Sequence, residues 1–423
     1  MKPTWRDRRD QASRWWFYGL FFLLPLLAVF GHRGVAPWLL LASLPAFVRG
    51  DFWQAAFGKL FDHPSLKDPV FAGFITILFF CFWILLSGLW SPKHHYSLFL
   101  WVLAPALVGG SIVWFSLNLS RSWAWRMGRA FSLAVAGGMI ILAFEGVTGG
   151  MLRDLVPPQD ISADGSRDVV ALGRGVSALA PALFPAAIIA MRIWSRLAAG
   201  GVLMLGIVAA TTSDVTANAL AIGVGLAAAL LSLKYQRAMF QVAGWGAVAV
   251  LLLSPIAAAF LPVDAIFDYA RENLSDSQQA AASSSLHRLV IWKAVGVEIF
   301  SGLPFGHGAD YARIWGQAAG TVNVPGVVAP VSIVPVHPHN VFLQTWLELG
   351  VPGVAALALF IWFGLQALLK AKFSKAVGAA CVGAFAAIMI SVMVEGSMWQ
   401  VWRLAAMALA ASGVALAHTL EKR

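Results

Sequence analysis

Charge is scarce in this chain: Asp, Glu, Lys and Arg make up 12% of its 423 residues, against 59% hydrophobic, at a mean hydropathy of +0.75. So few polar groups cannot cover a water-soluble globule, which excludes a soluble enzyme or binding module and predicts an integral membrane protein. Cysteine is nearly absent as well. The two that occur, Cys81 and Cys381, fall in apolar runs and read as packed thiols, which leaves no disulfide framework and no thiolate metal site. Tandem repeats, low-complexity linkers and composition breaks are also missing, so residues 1–423 read as a single polytopic membrane domain.

What the chain has instead is long apolar runs, near 16–30, 36–48, 71–89, 98–117, 130–147, 176–193, 197–211, 215–233, 240–261, 351–369, 376–394 and 399–417. About twelve membrane-spanning helices are therefore expected for a hydrocarbon layer of about 30 Å, the short second run being the weakest. The basic start resembles a secretory signal, but no small-residue cleavage site follows Phe30, so it reads as a retained first span. Basic residues set the orientation. Lys2, Arg6, Arg8, Arg9 and Arg14 at the start and Arg121, Arg126, Arg129, Arg192, Arg196, Lys234, Arg237, Lys370, Lys372 and Lys375 in alternate turns mark the cytoplasmic side. Both termini are then cytoplasmic. The net charge of +10 is read as this topology signal, with no nucleic-acid partner implied.

Two polar segments fall on the external side, a smaller one at 148–175 and a larger one at 262–340. The larger ends in His337-Pro338-His339-Asn340. Asn340 can cap a short helix from Val341, ended by Gly350 and Pro352, and this places His339 just outside a positive helix terminus. Such a field favours a neutral imidazole able to accept a proton, and attracts an anion. Upstream, Ser283-Ser284-Ser285 offers caps for a helix over about 286–300, with Arg288 in its first turn.

Metal binding by His337 and His339 lacks an evident third ligand, and the external segments hold no Asp-x-Asp or Glu-x-Asp pair. They hold arginines: Arg153, Arg167 and Arg174 in one, Arg271, Arg288 and Arg313 in the other. Guanidinium forks match phosphate oxygens and can stabilise a pyrophosphate leaving group without a metal. Glu145, Asp214 and Glu395 lie near external span ends rather than mid-membrane, which speaks against a proton relay through the bilayer.

Two stretches resemble the O-antigen ligase and polymerase superfamily of lipid-linked glycan transferases. One is Arg288-Leu-Val-Ile-Trp292 with the Pro304-Phe-Gly-His-Gly308 turn. The other is His337-Pro-His-Asn340 through Leu343, Glu348 and Gly350. The resemblance implies an all-α, GT-C-type membrane enzyme of the bacterial inner membrane, with its active site in the periplasm. It would be metal-independent and inverting, would need no cofactor, and would move undecaprenyl-pyrophosphate-linked O-antigen onto lipid A-core. It assigns His339, or else His337, as the base, Arg174 and Arg288 as pyrophosphate ligands, and Asn340, Trp292, Arg167 and Arg313 as supporting residues. Where many members have Ser-Arg, this chain has Ser213-Asp214, so a cation carried there would have to come from elsewhere. An O-antigen polymerase or an oligosaccharyltransferase acting on protein would share the motifs; a lipid-glycan flippase is the alternative from another class.

Overall fold

The computed structural model describes residues 5–48, 53–54, 65–155, 166–213 and 215–422. Among them are fourteen α-helices and one two-stranded sheet, so the expected all-α membrane architecture is what forms. In order, the helices are α1 (Trp5–Ala28), α2 (Val35–Val48), α3 (Pro69–Ser87), α4 (Leu98–Leu117), α5 (Arg121–Thr148), α6 (Ser166–Ile193) and α7 (Arg196–Thr211). Then follow α8 (Ala217–Ala259), α9 (Val263–Asn273), α10 (Asp276–Ser301), α11 (Tyr311–Ala318), α12 (Val341–Lys370), α13 (Lys375–Val394) and α14 (Val401–Glu421).

Eight described helices are long and apolar enough to cross a membrane. The twelve apolar runs nonetheless all lie in helix. The difference has two sources: α1, α2 and α7 are shorter or more polar than a full span, and two runs share α8, whose backbone breaks at Tyr235 (φ −120°, ψ 44°). α6 starts at Ser166, so the smaller external segment is partly helical and Arg174 sits inside a helix instead of ahead of one. The principal core packs α1, α2, α5, α6 and α14 around Phe17, Trp38, Phe131, Leu183 and Leu409.

At one end of the bundle Arg192 pairs with Glu421 at 2.6 Å, Thr419 donates to the Ser116 carbonyl and Lys370 to that of Lys67, which gathers the basic turns there. The opposite end is covered by residues 262–340. There α9, α10, α11 and the hairpin β1 (Thr321–Val322) and β2 (Val331–Ser332) form a cap, with Thr321 opposite Ser332. Its core is Ile291, Val295, Ile299, Ala312 and Val334 against Leu343 and Leu347 of α12, so the external segment folds directly onto a spanning helix.

α10 corrects one expectation. It begins ten residues before Leu286, because Ser275 and Gln278 form a reciprocal capping box, so the serine cluster 283–285 lies mid-helix and Arg288 is not in the first turn.

Candidate functional site

The His-Pro-His-Asn run is held by four local hydrogen bonds. The Asn340 carboxamide accepts from the backbone N–H of Phe342 (2.9 Å) and Leu343 (3.1 Å), as its cap chemistry predicts. Trp292 donates its indole N–H to the Pro338 carbonyl at 3.1 Å, so the tryptophan of α10 clamps the loop from above. The backbone N–H of His339 donates to Nδ1 of His337 at 3.2 Å. His339 itself has φ +53°, a left-handed conformation that costs a non-glycine residue about 1–2 kcal/mol and is held by these constraints.

These bonds separate the two imidazoles. His337 accepts at Nδ1, so its neutral ring carries the proton on Nε2 and is committed to positioning the loop. The ring of His339, 4.2 Å away between centroids, has no hydrogen-bond partner among the described residues. Burial pushes His339 down to about 2, reinforced by His337, Arg288 and Arg174, and pushes His337 down to about 3, reinforced by Arg174, Arg403 and Arg313. Both rings are therefore neutral throughout the physiological range.

Arg174 of α6 and Arg288 of α10 are half-buried, and neither makes a hydrogen bond or ion pair with the described residues. Burial lowers the pKa of Arg288, while the Glu395 carboxylate opposes that shift. Arg313, the third arginine expected here, is engaged elsewhere: its Nε lies 3.2 Å from both oxygens of Asp310, which also receives Lys93 at 3.3 Å. It still contributes positive field at His337. Arg167 lies in the first turn of α6 and its side chain is outside the described residues, as is Asp214.

Sequence reasoning missed Arg403 and His32 beside this site, and of the two only Arg403 adds a cation. Arg403, 4% exposed in the first turn of α14, contacts Glu395 at 3.6 Å, donates to Gln400 at 2.5 Å and to Ser391, and lies over the Trp402 ring. The Ser177 hydroxyl of α6 lies 3.2 Å from the Glu395 carboxylate and 2.6 Å from Oδ1 of Asn218 on α8, and can donate its one hydrogen to either. His32 stands in the α1–α2 turn with its ring 5.0 Å from Trp402; burial pushes it down to about 4, with Arg174 and Arg403 adding to the shift. The available signal was a charge inside an apolar run, as at Arg403, since such a charge is costly unless partnered.

A scaffold beneath the loop fixes its height. Glu348, fully buried, accepts from the Asp310 backbone (2.8 Å), the Trp399 indole (3.0 Å) and Gln344 (2.9 Å). The 304–308 turn docks on the same stretch of α12. His307 and Gly308 donate to the carbonyls of Leu347 and Glu348, both at 2.9 Å, and Val351 donates back to Pro304 at 2.8 Å. Gly350 breaks α12 there with φ +58°, ψ −155°, a region essentially restricted to glycine; a Cβ would collide with the Pro304 carbonyl. Glu145, by contrast, is a buried cap that accepts from the backbone N–H groups of Leu152 (2.8 Å) and Arg153 (2.9 Å).

Chemically, the arrangement presents guanidiniums with spare donors beside a neutral imidazole, which suits an anionic ligand next to a proton acceptor. Among the described residues no three His, Cys, Asp or Glu side chains come together as a metal-binding group.

Comparison with known proteins finds relatives along most of the chain. A Rickettsia conorii protein provisionally named polysaccharide ligase is 24% identical over 405 residues, covering 90% of this chain and 92% of its own length. One of the same name in Rickettsia felis is 23% identical over 399 residues, again covering 90% and 92%. A Rickettsia typhi relative reaches 31% identity over 131 residues, 31% of this chain and 32% of its own. The O-antigen ligase family model matches residues 199–358, a span that holds Arg288, Trp292, the His-Pro-His-Asn run, Glu348 and Gly350 but neither Arg174 nor Arg403. Over residues 199–358, therefore, this membrane protein carries the domain of the O-antigen ligase family.

Proposed function

We propose that the protein is an O-antigen ligase that transfers a glycan from undecaprenyl pyrophosphate to lipid A-core at the outer face of the bacterial inner membrane. One observation carries the reading: His339 is neutral, and among the described residues its ring has no hydrogen-bond partner and the nearby guanidiniums of Arg174 and Arg288 have no ion-pair partner.

The acceptor sugar hydroxyl gives its proton to His339 as its oxygen attacks the anomeric carbon of the donor. The anomeric C–O bond breaks on the opposite face and its electron pair leaves on the pyrophosphate, so configuration inverts. Arg174 and Arg288 receive that charge, and neither a metal nor a cofactor is needed. A pyrophosphate between these arginines also cancels part of the positive field that depresses His339, so the base becomes stronger once donor is bound.

Deletion of the gene is expected to leave full-length polymer on undecaprenyl pyrophosphate and uncapped lipid A-core, restored by the wild-type gene and not by His339→Ala. Single repeat units still attached to the core, with only long chains lost, would indicate a polymerase and overturn the assignment.

A further inference from the structure

A second concave surface lies on the other side of the 304–308 turn. It is an open cleft of about 630 Å³, in the size range of small-ligand pockets, lined by Trp83, Trp90 and Phe305 together with Ser301, His307 and Tyr311. Both indole N–H groups are already used: Trp83 donates to the Leu349 carbonyl at 2.8 Å and Trp90 to that of Gly306 at 3.1 Å. Their planes are thereby fixed, with 5.6 Å between the two rings and 6.1 Å from Trp83 to Phe305, and ring faces are what remains to meet a ligand. Phe305 is 55% exposed, a large apolar surface for the external end of the bundle.

The polar part of the lining carries no Lys or Arg. His307 stacks on Tyr311 at 4.1 Å, Tyr311 donates its hydroxyl to Glu298 at 2.9 Å, and Nε2 of His307 lies 3.3 Å from the Ser301 hydroxyl. Without a cation in the lining, a phosphate or anionic lipid headgroup has no counter-charge here. Flat aromatic faces in one cleft with hydroxyl and imidazole groups fit a pyranose, whose C–H faces are apolar and whose edges are hydroxyls.

The cleft is also tied to the reacting end. His307 bonds to Leu347 of α12, which lies about 9 Å along the helix from Val341 at 1.5 Å per residue, and His339 stands two residues before Val341. A short oligosaccharide spans that gap.

We infer that this cleft is a glycan subsite, holding sugar residues of one substrate while its end reaches His339. The inference rests on the ligase reading for the identity of the glycan. Its binding is tested apart from transfer. Purified full-length protein in nanodiscs is titrated with two probes, core oligosaccharide and repeat-unit oligosaccharide, each freed from lipid and pyrophosphate by mild acid, and binding is followed by saturation-transfer NMR.

One of the two should bind saturably, and which one does tells whether the cleft serves acceptor or donor. Trp90→Ala and Phe305→Ala should each weaken that binding about tenfold, a change of about 1.4 kcal/mol. Trp90→Phe, which keeps a ring face and loses only the bond to Gly306, should stay within about twofold, the scatter expected when the stacking surface is retained. Absence of binding by both probes would overturn the proposal, as would affinity unchanged in both alanine variants, or displacement of the probe by phospholipid alone. Failure of glycan transfer with binding intact would instead count against the ligase reading.

Discussion

His339 and His337 differ in what their rings can still do. With Nδ1 of His337 occupied by the His339 backbone, only His339 has a ring nitrogen free to take a proton from a substrate. His339→Ala should therefore cut turnover by about 10²–10⁴, the usual contribution of a positioned base, measured as transfer rate in proteoliposomes. His337→Ala should cost less, since it loosens the loop without removing the acceptor. Arg288→Lys keeps the charge but loses the planar fork, so full activity in that variant would argue against bidentate pyrophosphate binding. The pH dependence follows in sign. Burial first, then His337, Arg288 and Arg174, disfavour protonated His339, so kcat/KM should stay flat as pH falls from about 7.5 to 5.5, well through the ordinary histidine pKa of about 6.5. Arg288→Gln removes one cation, which raises the His339 pKa and moves the acid limb upward. A limb near 6.5 in the wild-type protein would contradict the burial of this ring.

At the scale of elements, the site depends on the break in α12. Gly306 and Gly350 approach so closely that a Cβ on Gly306 would sit 2.6 Å from the Gly350 nitrogen, and this contact lets the 304–308 turn bond to Leu347 and Glu348. Gly350→Ala should lower thermal stability in detergent by an amount equivalent to about 1–3 kcal/mol from backbone strain alone. Glu348→Leu should do the same by stranding the Asp310 N–H and the Trp399 indole, at about 1–3 kcal/mol for each buried donor. This part of the molecule was legible in the sequence where its causes are local. The Asn340 cap, the helix from Val341 and the stop at Gly350 all follow from neighbouring residues. The start of α10 was misplaced because the polar stretch from Asp276 shows no apolar stripe and Ser283–Ser285 imitates a cap; the capping box at Ser275 and Gln278 was the better signal. Arg403 and His32 were not legible, since only the packing of α14 against the α1–α2 turn and α6 brings them to Arg174.

For the whole molecule, long apolar runs located every described helix that is long and apolar enough to cross a membrane, but left the assembly of the polar cap on α12 to tertiary contacts between α10, α11 and the hairpin. The distribution of basic turns predicts that the cap faces outward. A Ser277→Cys variant should react with an impermeant maleimide on intact spheroplasts, and Lys372→Cys only after permeabilisation; labelling in the reverse order would invert the topology. The central claim is a base and an arginine pair acting without a metal, and it is tested most directly by reconstitution. Wild-type protein and His339→Ala are incubated in liposomes with undecaprenyl-pyrophosphate-linked O-antigen and rough lipopolysaccharide in the presence of EDTA. The wild type should form capped lipopolysaccharide and release one undecaprenyl pyrophosphate per transfer, while His339→Ala should bind donor and transfer it slower by about 10² or more. Transfer by His339→Ala at close to the wild-type rate, or its loss from the wild type on chelation, would contradict the account.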